Sequence, residues 1–455
     1  MTYQRGFAYR TLILFLIVAA VLLIGIRYQL GTFIKHTPGT ANGLSAKLLC
    51  SGFFVSNRKE QDIIEQDIKA ANLLAPFSEY NIDTEKQEAS ASLFGFATQT
   101  ARYTPGYGCT LYQNTAPQFK EKELVDQPGF EWERSEQNLA IQTLLERILA
   151  ENKDNPKIDT RALIVVKDGH IIGEVYARGY DAETRFLSWS MAKSVTGTLM
   201  GIYLHQQRIP VDTSLDYREW QFDERRTITL HHLLTMTSGL SSIETYRPGD
   251  NATQMLFFEN DMAAYARSAR SAAEPGTTFN YSSASTNILS GWLKEELGGA
   301  EAFQEFAWNK LFDPAGMDSA VFEPDASGTP VGSSYLYMSA PDWAKFGELY
   351  LERGMLNGKQ IVPKDWIEYA TTPVEAAPMR EYGAHFWLNV GRDGAHLLPD
   401  GSSDTVVASG HNGQYLVIVP SQGLVFVRLG WTNTKDGFDL NRHLANIVAT
   451  LKATY

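Results

Sequence analysis

Cysteine is scarce in this chain, because its 455 residues include only Cys50 and Cys109. Two cysteines are too few for a disulfide-rich scaffold or for a cysteine-based metal cluster. The nine histidines are scattered apart from the adjacent pair His231-His232, and no His-Glu-x-x-His sequence occurs. We therefore expect no metal site and no organic cofactor. The two cysteines form either one disulfide that closes a long loop or two buried thiols.

An excess of positive charge is also missing. The chain carries 40 basic and 52 acidic residues, for a formal charge of -12. A nucleic-acid partner normally requires a basic patch, so nucleic acid is excluded as a partner. The content of 44% hydrophobic and 20% charged residues is typical of a globular protein with a packed core. No internal repeat or low-complexity tract is present, and the length predicts two or three structural units.

Long apolar runs are absent with one exception, Thr11–Ile26, which has no charged residue and lies between Arg10 and Arg27. A helix of this length spans roughly 24 Å, and flanking arginine and tyrosine side chains can extend it to the membrane surface. We predict an uncleaved, single-pass N-terminal anchor that places the rest of the chain on the periplasmic or extracytoplasmic side. A cleaved signal peptide is the alternative, although Gly25-Ile26-Arg27-Tyr28 is a poor cleavage context.

Composition and patterning divide the chain into three predicted segments: the anchor at 1–30, an extension at 31–127 that holds both cysteines, and a main domain at 128–455. In the extension, Asp62–Leu74 has the spacing of an amphipathic helix and Ala101–Tyr112 has strand and turn residues. We expect the extension to pack on the main domain.

The main domain begins and ends with strands and helices. The predicted elements are helix Leu139–Glu151, strands Ala162–Lys167 and Ile171–Arg178 around an Asp168-Gly169 turn, a buried helix Ser190–His205, strands Gln414–Val419 and Leu424–Leu429, and helix Leu440–Lys452. This order predicts an α+β fold of the α/β sandwich type. Its antiparallel sheet is built from the N- and C-terminal parts and flanked by helices, and an all-helical subdomain is inserted between them.

Two copies of Ser-x-x-Lys occur in the chain. In the copy at Ser190, the serine and Lys193 stand three residues apart on a predicted helix, so their side chains share a face. A lysine whose pKa is lowered by burial can accept the proton of a serine hydroxyl. The alternative is a helix N-cap beside an exposed lysine. The copy at Ser56-Asn57-Arg58-Lys59 lies in a polar stretch, which favours a solvated loop or cap.

Two further polar groups follow in the sequence. Tyr281-Ser282-Ser283 lies before the apolar helix Ile288–Leu297, and a tyrosine there, facing Lys193, acts as a phenolate or shares a proton. His411-Asn412-Gly413 opens the strand Gln414–Val419, where Gly413 lets a substrate approach the backbone. Each group has an alternative interpretation without a catalytic role. Tyr281 would then be a half-buried, hydrogen-bonded tyrosine, and His411 would be a structural histidine.

Taken together, Ser-x-x-Lys, Tyr-x-(Asn/Ser) and (Lys/His)-x-Gly in this order resemble the motifs of class C β-lactamases, DD-peptidases and related esterases. The resemblance covers roughly residues 128–455 and implies a β-lactamase/transpeptidase-like fold. It also implies Ser190 as the acylated nucleophile, Lys193 as proton acceptor and Tyr281 as general acid and base. By the same resemblance, Ser283, His411 and Gly413 line the substrate site, and the backbone N–H groups of Ser190 and Gln414 form the oxyanion hole.

The chain departs from the family motifs at two positions. Ser283 replaces the asparagine of Tyr-x-Asn, and His411 replaces the lysine of Lys-Thr-Gly, which removes a permanent positive charge that recognises carboxylates. These changes argue against efficient β-lactamase activity. They resemble instead the nylon-oligomer (6-aminohexanoate-dimer) hydrolase and carboxylesterase branch.

The sequence thus predicts a serine hydrolase that acts on a small-molecule ester or amide at a membrane surface. β-Lactamase or DD-peptidase activity is one alternative. A penicillin-binding-like sensor that binds without hydrolysis is another, from a different class of function.

Overall fold

The computed structural model describes residues 31, 35–121, 138–432 and 437–454. Within these ranges no helix combines the length and the apolar character needed to cross a bilayer. This finding contradicts the predicted transmembrane helix, the membrane partner and the membrane-anchored periplasmic location, and we withdraw all three. Thr11–Ile26 itself lies outside the described residues, as do the sequence positions around the predicted boundary at 127/128.

Strands are concentrated in the extension and at the two ends of the main domain. In chain order they are β1 (Ser78–Asp83), β2 (Glu88–Leu93), β3 (Phe96–Thr104), β4 (Gly108–Tyr112), β5 (Thr160–Lys167), β6 (His170–Tyr176), β7 (Phe186–Leu187), β8 (Val321–Phe322), β9 (Leu336–Met338), β10 (Met355–Leu356), β11 (Lys359–Gln360), β12 (Trp387–Leu388), β13 (Val406–Gly410), β14 (Gln414–Val419) and β15 (Leu424–Gly430).

Helices lie between and around these strands. They comprise residues 35–50, Glu60–Ile63, Lys69–Ala71, Leu139–Asp154, Met191–Gln207, Leu230–Leu234, Asn251–Phe258, Met262–Arg267, Ser283–Leu297, Ala300–Ala307, Ala340–Leu351, Lys364–Ala370 and Leu440–Thr454. Three π-helical turns, Ser51–Val55, Ile64–Ile68 and Trp308–Phe312, continue the helices that precede them.

The central sheet has six antiparallel strands in the order β12-β13-β14-β15-β5-β6. Strand β15, from the C-terminal part, pairs with β5 from the N-terminal part, with Phe426 opposite Val165. Asp168 and Gly169 join β5 to β6 with φ angles of 47° and 78°, the left-handed conformation that a tight hairpin turn requires. These observations confirm the predicted α+β class.

Alternating residues of the sheet face two different helix layers. Val165 packs in a cluster with side chains of the Leu139–Asp154 and Leu440–Thr454 helices, whereas its neighbour Ile164 faces the Met191–Gln207 and Ala340–Leu351 helices. Because β5 is buried on both faces, it reads as a continuous apolar run instead of an alternating one. The Met191–Gln207 helix is thereby buried beside the sheet.

The extension shares the core of the main domain. Strands β1 to β4 form an antiparallel meander, and Cys50 is disulfide-bonded to Cys109 of β4. Lys47, on the buried helix of residues 35–50, forms an ion pair with Glu323, which is buried in the main domain. Residue Glu323 also accepts hydrogen bonds from the Ser51 hydroxyl and the Cys109 backbone N–H, at 2.8 and 2.7 Å. The disulfide therefore links the helix and the meander within the extension, and the buried polar cluster around Glu323 holds the extension on the main domain.

Candidate active site

Ser190 stands at the N-terminus of a buried helix. It is the N-cap of Met191–Gln207, and the preceding Trp189 has a φ of +48°. A bulky residue rarely adopts positive φ, so the chain makes a strained turn immediately before the serine. The helix start places the positive end of its dipole at this position.

Lys193 lies one helical turn further on and is only 1% exposed. Its Nζ donates hydrogen bonds to the Ser190 Oγ, the Ser283 Oγ and the Ser333 carbonyl oxygen, each at 3.0 Å. Burial lowers the pKa of Lys193 to about 8, while the charge of Glu244 acts in the opposite direction. A substantial fraction of this lysine is therefore neutral near neutral pH, as a proton acceptor requires.

Tyr281 contacts the same pair of residues. The Lys193 Nζ lies 4.9 Å from the centre of the Tyr281 ring. Burial raises the pKa of Tyr281, and the nearby Ser190 side chain only partly offsets this effect. Desolvation and the charge of Glu244 both favour the neutral phenol of Tyr281 over a phenolate.

Glu244 was not identified from the sequence, although it is hydrogen-bonded to Ser283 of the predicted site. Its carboxylate accepts hydrogen bonds from the backbone N–H and, at 3.1 Å, the hydroxyl of Ser283. It also accepts one from the Tyr246 hydroxyl at 2.6 Å. Ser283 therefore bridges Lys193 to a carboxylate. Glu244 lies in a polar loop, where an acidic residue is ordinary and provides no sequence signal.

His411 lies at the rim of the same site. Residues His411–Gly413 form a 3-10 turn between β13 and β14, in which Asn412 and Gly413 have φ angles of 61° and 78°. The His411 ring packs edge-on against Trp189, with 5.6 Å between ring centres. Desolvation lowers the pKa of His411, so this position carries no permanent positive charge.

The Arg428 side chain supports this turn through hydrogen bonds. Sequence reasoning did not identify this residue either. It is fully buried on β15 and donates to the carbonyl oxygens of Asn412 and Gly413 at 3.0 and 2.6 Å. A Cβ at Gly413 would lie 2.6 Å from the Arg428 Nη1, so the glycine is required here. The Gln414 side chain donates to the His411 carbonyl oxygen at 3.1 Å and accepts from the Gly430 backbone at 3.0 Å. The single arginine in the apolar run LVFVRLG was an available signal.

The second Ser-x-x-Lys copy does not assemble a site. The Ser56 hydroxyl donates to the Arg185 carbonyl oxygen at 2.7 Å, and Lys59 is exposed. In the described part of the chain, no group of three or more His, Cys, Asp or Glu side chains is placed to hold a metal ion.

The antiparallel sheet packed between helix layers and the polar groups around Ser190 are those of the β-lactamase and penicillin-binding class of serine hydrolases. A family model described as Beta-lactamase matches residues 145–450, which is more than half of the chain. The chain therefore belongs to the Beta-lactamase family.

Several known proteins are similar to this chain. A 6-aminohexanoate-dimer hydrolase from Paenarthrobacter ureafaciens is 24% identical over 298 residues, covering 54% of this chain and 71% of the relative. A solved Bacillus anthracis protein, whose suggested identity is 6-aminohexanoate-dimer hydrolase, superposes with a TM-score of 0.59 at 21% identity, covering 71% and 88% of the two chains. A penicillin binding protein from Bacillus halodurans gives a TM-score of 0.51 at 19% identity, covering 68% and 100%. At these identities the structural likeness shows a shared fold.

Proposed function

We propose that this chain hydrolyses a small ester or amide through an acyl-enzyme on Ser190. The observation that carries the proposal is the 3.0 Å contact between the Lys193 Nζ and the Ser190 Oγ, with the pKa of Lys193 lowered to about 8. A buried lysine that donates only to neutral oxygens is costly to maintain, and proton transfer from Ser190 accounts for it.

In the acylation step, neutral Lys193 accepts the Ser190 proton while the Oγ forms a bond to the substrate carbonyl carbon. The electron pair of the carbonyl moves to its oxygen, which backbone N–H groups at Ser190 and Gln414 would stabilise. When the carbonyl re-forms, the bond to the leaving alcohol or amine breaks, and that group takes a proton from Tyr281. The Tyr281 phenolate then recovers a proton from the Lys193 ammonium, because the acylated Oγ of Ser190 carries no proton to relay.

In the deacylation step, water attacks the acyl carbonyl carbon and gives its proton to the same lysine and tyrosine pair. The Ser190–acyl bond breaks, the Oγ regains its proton, and the acid is released. Each residue thus ends the cycle in its starting protonation state.

We favour an ester or amide over a β-lactam as the substrate because of the charge at the rim of the active site, where His411 lies. Desolvation lowers the pKa of His411, which disfavours its charged form. The Arg428 guanidinium donates to backbone carbonyl and threonine oxygens at the turn. No fixed cation at this turn is available to pair with a substrate carboxylate.

The test is hydrolysis of 4-nitrophenyl butyrate by the wild type, Ser190→Ala and the matched control Ser56→Ala. We expect Ser190→Ala to lose about 10³-fold or more of kcat/KM. Ser56→Ala should retain the wild-type rate, because its hydroxyl only caps a loop. Undiminished turnover in Ser190→Ala would refute the assignment.

Mass spectrometry separates the hydrolase from a protein that only binds or is only acylated. A hydrolase releases many products per chain and shows a transient acyl adduct on Ser190. Stoichiometric binding or permanent acylation without product release would favour the sensor alternative. A cephalosporin measured in parallel should react far more slowly than the ester, and fast turnover would contradict the argument from His411.

A further inference from the structure

A cavity of about 410 Å³ opens onto Ser190, and its far wall comes from the extension. The family match begins at residue 145, so this wall lies outside the matched region. On the Ser190 side the lining includes Trp189, Tyr246 and His411. On the extension side it consists of one face of the helix 35–50 and the end of the helix that follows.

The extension presents an uncharged surface to this cavity. Thr40, Ala41 and Leu44 line it from one helix face, since residues three and four apart lie on the same side of a helix. Leu73 and Leu74 complete the wall from the turn that follows the second helix, which ends at Ala71. Among the described residues that line the cavity, none is Lys, Arg, Asp or Glu. A surface of this kind favours an apolar chain over a charged group.

The wall is held rigidly against the catalytic part. Gly39 and Gly43 lie one helical turn apart, and a Cβ at these positions would come within 2.6 and 3.1 Å of Phe258 and Phe257. Glycine therefore lets the helix approach the Asn251–Phe258 helix closely. The Asn72 side chain donates to the Ser45 hydroxyl at 3.1 Å, which joins the two helices of the wall. A preformed pocket binds a substrate without having to order its own wall first.

We infer that the extension forms the acyl-chain pocket and makes the enzyme selective for esters of uncharged acids with a medium-length alkyl chain. This inference rests on the proposed function. The carbonyl carbon would sit at Ser190, and the alkyl chain would extend between Trp189 and the helix face that carries Ala41 and Leu44.

The test is a series of 4-nitrophenyl esters from acetate to decanoate, in which the leaving group stays constant. Each methylene buried in the pocket should raise kcat/KM about fourfold, equivalent to about 0.8 kcal/mol, until the pocket is full. A monosuccinate ester should react more slowly than the butyrate because its carboxylate would be buried without a cation.

Two variants change the pocket in opposite directions. Ala41→Trp should fill it and lower the ratio of kcat/KM for the octanoate to kcat/KM for the acetate about tenfold or more. Leu44→Ala should move the optimum to longer chains and provides a second reading if Ala41→Trp folds poorly. Gln61→Trp introduces the same side chain at the exposed start of the second helix and should leave the chain-length profile unchanged.

The outcomes separate the inference from the proposed function. If acetate turnover requires Ser190 but chain length has no effect, the pocket inference is wrong and the hydrolase proposal stands. The inference also fails if chain-length selectivity appears only in acetyl esters of longer alcohols, or if Ala41→Trp leaves the acyl profile intact. If the wild type hydrolyses neither an ester of this series nor a small amide, the proposed function itself is wrong.

Discussion

The amine of Lys193 and the hydroxyl of Ser190 lie 3.0 Å apart in a site where the lysine side chain is almost completely buried. Their contact joins the two features that the chemistry requires, a hydroxyl at a helix start and a base with a lowered pKa. Three oxygens, those of the Ser190 and Ser283 hydroxyls and the Ser333 carbonyl, each lie 3.0 Å from the lysine nitrogen, so its position is fixed before substrate binds.

The rate should depend on the protonation of Lys193. Because only the neutral amine accepts a proton, kcat/KM for an ester should rise with pH through a value near 8, the pKa of the buried lysine. The measurement is a pH–rate profile between pH 6 and 10 with a neutral ester. A profile that is flat across this interval would argue against Lys193 as the base.

Glu244→Gln should move that profile to lower pH. The carboxylate of Glu244 raises the pKa of Lys193, so its neutralisation lets the lysine lose its proton at lower pH. A glutamine oxygen still accepts from the Ser283 N–H, which preserves the loop. Glu259→Gln, a carboxylate that does not contact this cluster, is the matched control. An unchanged or upward-shifted limb in Glu244→Gln would show that the carboxylate does not tune the base.

Lys193→Arg should abolish turnover almost as completely as Ser190→Ala. A guanidinium keeps its proton across the whole working pH range, so it retains the charge but cannot act as a base. We expect a loss of about 10³-fold or more in kcat/KM, measured with the butyrate ester. Circular dichroism would verify folding. Wild-type rates in Lys193→Arg would show that Tyr281 or water acts as the base.

Tyr281→Phe should affect poor leaving groups more than good ones. Nitrophenolate departs without a proton, whereas an alkyl alcohol or an amine requires one from Tyr281. The loss in kcat should reach about 10²- to 10⁴-fold for an alkyl ester or an amide and be much smaller for a nitrophenyl ester. Equal losses for both substrates would assign Tyr281 a structural role instead of an acid role.

Arg428→Met should reduce kcat more than it changes KM. The variant leaves the Gly413 carbonyl oxygen without its side-chain donor and the Asn412 carbonyl oxygen with the Thr432 N–H, so the turn beside Ser190 loses support. We also expect a loss of about 1–3 kcal/mol of stability, because an acceptor at this turn is left unpaired. Steady-state kinetics and urea unfolding provide the two measurements. Destabilisation with wild-type kcat would limit Arg428 to a structural role.

Local pattern carried much of the fold prediction. Strands β5, β6, β14 and β15 and the helices Leu139–Asp154 and Leu440–Thr454 were recognisable because hydrophobic periodicity and turn residues act over a few positions, whereas β12 and β13 of the same sheet were not predicted. The same patterns indicated that the C-terminal strands join the N-terminal hairpin, as the pairing of β15 with β5 shows. The predicted membrane anchor was the failure, since it relied on the apolar character of one segment alone.

The sequence by itself determined the fold class, the family and the candidate groups at Ser190, Lys193, Tyr281 and His411, since each belongs to a short motif whose residue types carry its chemistry. Only the tertiary structure decided which groups surround them. Glu244 contacts Ser283 although 39 residues separate them in the sequence. Ala41 of the extension lines the same cavity as Ser190 of the main domain. Such contacts depend on packing between distant segments, which also sets burial and therefore the pKa values of Lys193 and Tyr281.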